Sequence, residues 1–189
     1  MVGFLPGQGS FVTPIFRSVD FRRLWCNAVL NAISMGGDLV LVGWMIHGAT
    51  GGSDWVGVGF GLFFFPMLLF GVPSGSVADR FDRGWLLRHA ELTAAVVLAA
   101  FACVPAVGGE GLVFALVASF VLGSVRAVHN PIRLSLAYDL VGPTYAISAL
   151  AAINLGVRLG QGAGALMVGY LAHDHGIVWG FVLMAVAHV

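Results

Sequence analysis

Lysine is absent from this 189-residue chain: all nine basic residues are arginine, nine acidic residues balance them, and the formal net charge is zero. A chain with no excess of either sign carries no electrostatic footprint for nucleic acid or for a strongly acidic partner. Charge itself is scarce at 10%, against about 25% in a soluble domain. Cysteine is nearly absent too. Cys26 and Cys103 both fall in apolar runs, where they are expected as small buried hydrophobes, not as a disulfide or a metal pair. Catalytic patterns are missing: there is no Gly-x-Ser-x-Gly, no His-Glu-x-x-His and no phosphate loop of the Gly-x-x-x-x-Gly-Lys type. The sequence therefore encodes neither ATP-driven transport nor an enzyme of these classes, and it calls for no cofactor. The opening "MVGFLPGQGSFVTPIF" lacks an early basic region, so a cleaved signal peptide is not expected and the first apolar run should stay as a membrane anchor.

What is present is apolar residue. Hydrophobic residues make up 59% of the chain, with 27 glycines and 14 phenylalanines, and the mean hydropathy is +0.94. A soluble protein of this size has no core large enough to hide so much apolar surface. The surrounding solvent must be lipid. A helix needs about 20 apolar residues to cross the hydrocarbon, and such runs lie at 24–46, 55–78, 85–106, 111–131 and 147–171. A sixth, "IVWGFVLMAVAHV", begins at Ile177. Its length to Val189 reaches only about 20 Å of a core about 30 Å thick, so a truncated sixth span is expected.

The connections sort the arginines. Arg17, Arg22 and Arg23 precede span one, Arg80, Arg83 and Arg88 lie between spans two and three, and Arg126 and Arg133 flank the end of span four. If spans alternate, all of these share one side. The opposite connections, "HGATGGSD", "VGGEG" and "AHDHG", hold no arginine. The positive-inside rule then places the N-terminus and the turn "GSVADRFDRG" in the cytoplasm of an inner or plasma membrane. Orientation accounts for the arginines of that turn but not for Asp79 and Asp82. Small residues just before it, "GVPSGS", would let another helix approach closely. A latch between helices fits both features.

Three spans carry polar residues at helical spacing. Asn27, Asn31, Ser34 and Asp38 share an arc of span one; Ser119, Gly123, Arg126 and Asn130 share one of span four; Asn154, Arg158 and Gln161 share one of span five. Lipid-facing positions reject such groups, so the stripes are expected to face one another or a water-filled cavity. Asp38 and Arg158 sit deepest. An isolated ion at that depth costs at least about 2.5–3.5 kcal/mol, which suggests that they pair, either structurally or on a shared substrate or proton pathway. An Asp38 without Arg158 would instead be a proton-coupling candidate. Arg126, about a turn from the cytoplasmic end of its span, is expected to snorkel. Gly156, Gly160 and Gly164 form a close-packing face. Pro66 suggests either a gating kink or a tolerated proline. The two histidines of "HDH" supply only half a metal site.

The stretch "GSVADRFDRGWLLR", Gly75 to Arg88, resembles the signature loop between helices two and three of the major facilitator superfamily, loosely Gly-x-x-x-Asp-Arg-x-Gly-Arg-Arg. Gly75, Asp79, Arg80 and Arg83 match, while Asp82 stands where the pattern usually has Gly and Gly84 where it has a second basic residue. "FRSVDFRRLW" looks like the family's basic lead-in to helix one. "VRAVHNPIRLSLAYDLVG" followed by "AINLGVRLGQGAGALMVGYL" is similar to the helix 4–5 region of exporter-type branches, including the enterobactin exporter group. The resemblance implies two six-helix halves that rock about a midplane site, with the loop as a cytoplasmic latch whose Asp79 faces the second half. It also implies export of a small molecule.

The expectation is an all-α membrane protein with about five complete transmembrane helices plus a truncated sixth, the N-terminal six-helix bundle of that fold. Residues 1–23 would be a cytoplasmic lead-in and 24–189 the bundle. Asn31, Asp38, Asn154 and Arg158 are the expected substrate or proton-pathway residues; Gly75, Asp79, Arg80 and Arg83 form the expected gating loop. Expected partners are the lipid bilayer, a small-molecule substrate, protons, and a missing C-terminal half or a second subunit. No nucleic acid or metal is expected. The competing expectation is a non-transporting remnant, or a helical subunit that needs a partner.

Overall fold

The computed structural model describes residues 15–78, 81–109 and 111–188. These residues form helices and no strand: α1 (Val19–Thr50), α2 (Ser53–Ala78), α3 (Arg83–Ala106), α4 (Leu112–His175) and α5 (Ile177–Val186). Four of them are long and apolar enough to cross a membrane, and α5 is a shorter apolar helix.

Capping chemistry sets several ends. The Ser18 hydroxyl accepts from Phe21 N at 3.3 Å to start α1, inside the stretch expected as a lead-in. Gly51, at φ 67°, ends the helix with its N–H on His47 O, a left-handed position that suits glycine. Asp82 Oδ1 accepts from Trp85 N at 2.6 Å and caps α3. The acidic residue that departs from the family's loop pattern thus has a local role at a helix N-terminus, where a carboxylate also suits the dipole.

At about 1.5 Å per residue, a helix as long as α4 would run roughly 96 Å, about three times the hydrocarbon thickness. It does not run straight. Gly142 has φ 69° and ψ 176° inside α4, and Pro143 follows it. A residue before proline is pushed out of the helical region, and proline is a good first residue for the next helix. The break divides α4 into two arms, 112–141 and 143–175. A loop was expected across 132–146; here the helix runs through Pro131 and the reversal is confined to Gly142. The bundle therefore makes five crossings and a short sixth.

Contacts fix the directions. The second arm of α4 runs parallel to α1: Trp25 Nε1 donates to Ala152 O at 3.0 Å, and Trp44 meets His173 at the far end. The first arm runs antiparallel to α3, from Phe101–Phe114 at one end to Arg83–Asp139 at the other. The glycine face packs against α1 as expected. A Cβ on Gly160 would lie 2.7 Å from Val29 O, and one on Gly164 would collide with the Ile33 carbonyl. Backbones approach this closely only where side chains are absent.

Two apolar clusters fill the bundle. One gathers Leu41, Met45, Phe63, Leu98, Leu122 and Phe181; the other gathers Phe21, Leu24, Leu87, Ile132 and Ile153. Cys26 and Cys103 belong to neither and are exposed, contrary to expectation. In a lipid solvent an apolar position has no need to face inward.

Candidate functional site

A layer of polar side chains separates the two apolar clusters. On α1, Asn31, Ser34 and Asp38 recur three and four residues apart and so share one face. On the first arm of α4, Arg126, His129 and Arg133 repeat that spacing. Glu91 projects from α3, and His188 follows α5. All eight are buried.

Asp38 and Arg126 form the upper half of the layer. Arg126 donates from Nε and Nη2 to Asp38 Oδ2, both at 2.6 Å, with side-chain exposures of 6% and 0%. Arg126 Nη2 also donates to Ser34 Oγ at 2.6 Å, and Nη1 approaches His188 Nε2 at 3.1 Å. The lower half centres on Glu91. Asn31 Nδ2 donates to both of its oxygens at 3.2 and 3.1 Å, Arg133 Nη2 lies 3.5 Å away and His129 Nε2 3.4 Å away. His188 Nδ1 contacts Glu91 Oε2. Charges removed from water must be paired and hydrogen-bonded; here two acids face two guanidiniums.

Two cavities open in the bundle, and the second of them reaches the layer. A cavity of about 840 Å³ lies between α1, α2 and the second arm of α4, walled by Met35, Trp44, Phe60, Phe64, Arg158 and Gln161 among others. Another, of about 670 Å³, extends from the exposed Asp20 and Arg23 past Asn27 and Arg88 to Glu91 and His188.

Residues 24–189 match the Major Facilitator Superfamily. The chain belongs to that family. Neither a curated protein nor a solved structure matches it. Major facilitators are secondary transporters, not enzymes, so this chain is an integral membrane transport protein for a small-molecule substrate.

Within this facilitator bundle, the stripes of α1 and of the first α4 arm do face each other. The stripe on the second arm does not. Asp38 pairs with Arg126 and not, as expected, with Arg158. Arg158 is exposed and donates to Gln161 Oε1 at 3.3 Å, while Asn154, also exposed, donates to its own helix at Leu150 O. Arg126 does not snorkel. A span ending at 131 would place it near the membrane edge, but the arm runs on to 141 and puts it at mid-length. Asn31 lies in the layer on Glu91. Of the gating-loop residues, Gly75 lies in the last turns of α2 and Arg83 forms an ion pair with Asp139 at 2.5 Å. Asp79 and Arg80 lie outside the described residues.

Glu91, His129, Arg133 and His188 escaped the sequence reading. The signal for two of them was present: Arg126, His129 and Arg133 form a one-face triplet, whereas Arg126 had been grouped with Asn130, which is exposed. Beyond Arg88, three residues earlier, Glu91 has no polar residue at helical spacing in its span to mark a stripe. Glu91, His129 and His188 offer three donor atoms within 4.8 Å of one another. The Arg126 and Arg133 guanidiniums against the same atoms disfavour a metal cation there. His173 and Asp174, 3.9 Å apart, are an exposed pair.

Proposed function

We propose that the chain is the first bundle of a proton-coupled exporter for small amphipathic anions, of the exporter-type branch that includes the enterobactin exporter group. Its seat would be the inner or plasma membrane, with the N-terminus cytoplasmic. The carrying observation is the 840 Å³ cavity. That size suits a drug-sized molecule. Trp44, Phe60 and Phe64 offer aromatic faces, and Arg158 is the permanently charged residue among its walls. Its bond to Gln161 engages one guanidinium nitrogen, which favours an anionic group on the ligand.

Proton coupling draws support from Asp38. Its Oδ1 is buried without a hydrogen-bond partner among the described residues, so one edge of the carboxylate is open to a proton. The arginine asymmetry supports a cytoplasmic N-terminus and a gating role for the Gly75–Arg83 loop, which Arg83 ties to the end of the first α4 arm through Asp139.

Asn154 and Arg158 are exposed near the middle of their arm. Facing hydrocarbon, the arginine alone would cost at least about 2.5–3.5 kcal/mol. That favours a cover on this face, supplied by a C-terminal half of the same protein or by a second subunit. The rival reading, a helical subunit that transports nothing without its partner, rests on the same exposure.

Titration of the purified protein with an aromatic sulfonate, followed by tryptophan fluorescence, tests the ligand class. Saturable binding about tenfold weaker in Arg158→Ala is expected. Equal binding of a matched aromatic cation would overturn the anion assignment. Proteoliposomes with an imposed pH gradient test export: dye movement that ignores the gradient would overturn proton coupling.

A further inference from the structure

The lower half of the polar layer brings a histidine nitrogen up against a carboxylate oxygen. His129 Nδ1 lies 2.8 Å from Val125 O. A carbonyl oxygen can only accept, so Nδ1 carries a hydrogen, and in the neutral ring Nε2 then keeps a bare lone pair. That Nε2 is buried, has no hydrogen-bond partner among the described residues, and faces Glu91 Oε2 at 3.4 Å. When the imidazole is neutral, two acceptors confront each other across this gap.

The neighbours fix the remaining tautomers. Arg126 Nη1 sits 3.1 Å from His188 Nε2. Guanidinium can only donate, so this nitrogen accepts and His188 Nδ1–H donates to Glu91 Oε2. Among the described residues the other hydrogen bonds to Glu91 come from donors: Asn31 on α1 and Arg133 on α4. With both histidines neutral, Asp38 and Glu91 cancel Arg126 and Arg133, and the layer carries no net charge.

We propose that the gap between His129 Nε2 and Glu91 Oε2 is a proton-binding site. A proton taken from water bonds to Nε2, turns the imidazole into an imidazolium, and gives Glu91 a charge-assisted donor in place of a facing lone pair. The proton is supplied by a hydronium ion, whose O–H bond breaks as the N–H bond forms and which leaves as water. The proton leaves the buried layer with a net charge of plus one, which low-dielectric surroundings penalise. Occupancy therefore favours any arrangement that admits water or an anion. The 670 Å³ cavity supplies a water route, since Glu91 and His188 form its inner wall and Asp20 and Arg23 its exposed rim.

Other charged groups are placed so as not to fill the gap. On α1, Asp38 is held by Arg126; on α3, Arg88 lines the cavity beyond Glu91. In α2, Asp54 lies in the first turn, far from the layer, and Arg158 on the second α4 arm lines the other cavity. The use of this proton to drive transport rests on the exporter reading above; its binding does not.

The test is ¹⁵N NMR of histidine-labelled protein in lipid nanodiscs, titrated over roughly pH 5–8. Its six histidines are assigned with His129→Gln. Both His129 nitrogens should become protonated as pH falls, and an indicator dye should register uptake by the protein. Glu91→Gln places an amide N–H opposite Nε2, which satisfies the lone pair without a proton, so uptake should fall by one proton per chain. A His129 that stays neutral while the wild-type protein remains folded would overturn the proposal, whatever the variants do. Undiminished uptake in a folded Glu91→Gln protein would overturn it too. If His129 titrates and dye crosses proteoliposomes without regard to the pH gradient, the site stands and the proton-coupled exporter reading falls.

Discussion

Both Nε and Nη2 of Arg126 converge on a single oxygen of Asp38, Oδ2, at 2.6 Å, while Oδ1 is left without a partner among the described residues. The pair joins the first helix to the first arm of the fourth. A buried pair of this kind is not strongly stabilising against an apolar replacement, yet removal of one partner strands the other. Asp38→Ala or Arg126→Ala alone should cost about 3–5 kcal/mol, read as denaturant-induced loss of helicity in detergent. The double variant Asp38→Ala/Arg126→Ala should cost clearly less than the sum of the two singles. Additive losses in the cycle would show that the two residues do not act as a unit.

The glycine seam offers a cleaner steric test. Gly164→Ala puts a methyl group into the Ile33 carbonyl and should destabilise by about 1–3 kcal/mol. Gly61→Ala, where a Cβ meets nothing within 4 Å, should be neutral or slightly stabilising through helix propensity. Paired thermal melts decide; equal effects would refute the close approach of α1 and the second α4 arm.

Asp139 and Arg83 meet at the bundle's end with side chains 49% and 26% exposed. Water and salt screen such a pair. Asp139→Asn should therefore cost no more than about 1 kcal/mol, and the difference from wild type should shrink between low and high salt. A large, salt-insensitive loss would mean that Asp139 holds more than this contact.

Orientation can be read chemically. In a background with Cys26→Ala and Cys103→Ala, a Phe81→Cys thiol should react with an impermeant maleimide only in inside-out vesicles. Val107→Cys, at the opposite end of α3, should react only in right-side-out ones. Labelling of both from one side would break the alternating topology.

The sequence and the structure agree most where solvent alone decides. Lipid demands long apolar runs, so the spans of α1, α2 and α3 could be placed from hydropathy, and the arginine count could order the connections. Rotation about a helix axis is harder to read. Asp38 and Arg158 were matched by depth, because depth can be counted along a chain. Which way Arg158 points depends on the glycine seam that turns its helix against α1: Gly156, Gly160 and Gly164 face inward, and the arginine is carried to the outer side. Arg126 was misjudged for another reason. The span was expected to end at 131, whereas the actual break is eleven residues later, at Gly142. His188 gave no signal at all, since one histidine near the end of an apolar run has no periodic partner.

The wide separation of the charged partners along the chain has a consequence for how the protein is made. Asp38 and Arg126 are 88 residues apart, and Asn31 and Glu91 are 60. At about 5–20 residues per second, the ribosome needs roughly 4–18 s after Asp38 to deliver its arginine. During that interval the first helix holds an acid with no counter-ion, and the third soon brings a second acid, Glu91. Neither can settle as an isolated span in hydrocarbon at low cost. Biogenesis must therefore keep α1 and α3 in a shielded setting, in the insertion machinery or protonated at its mouth, until the first arm of α4 arrives with Arg126 and Arg133 together.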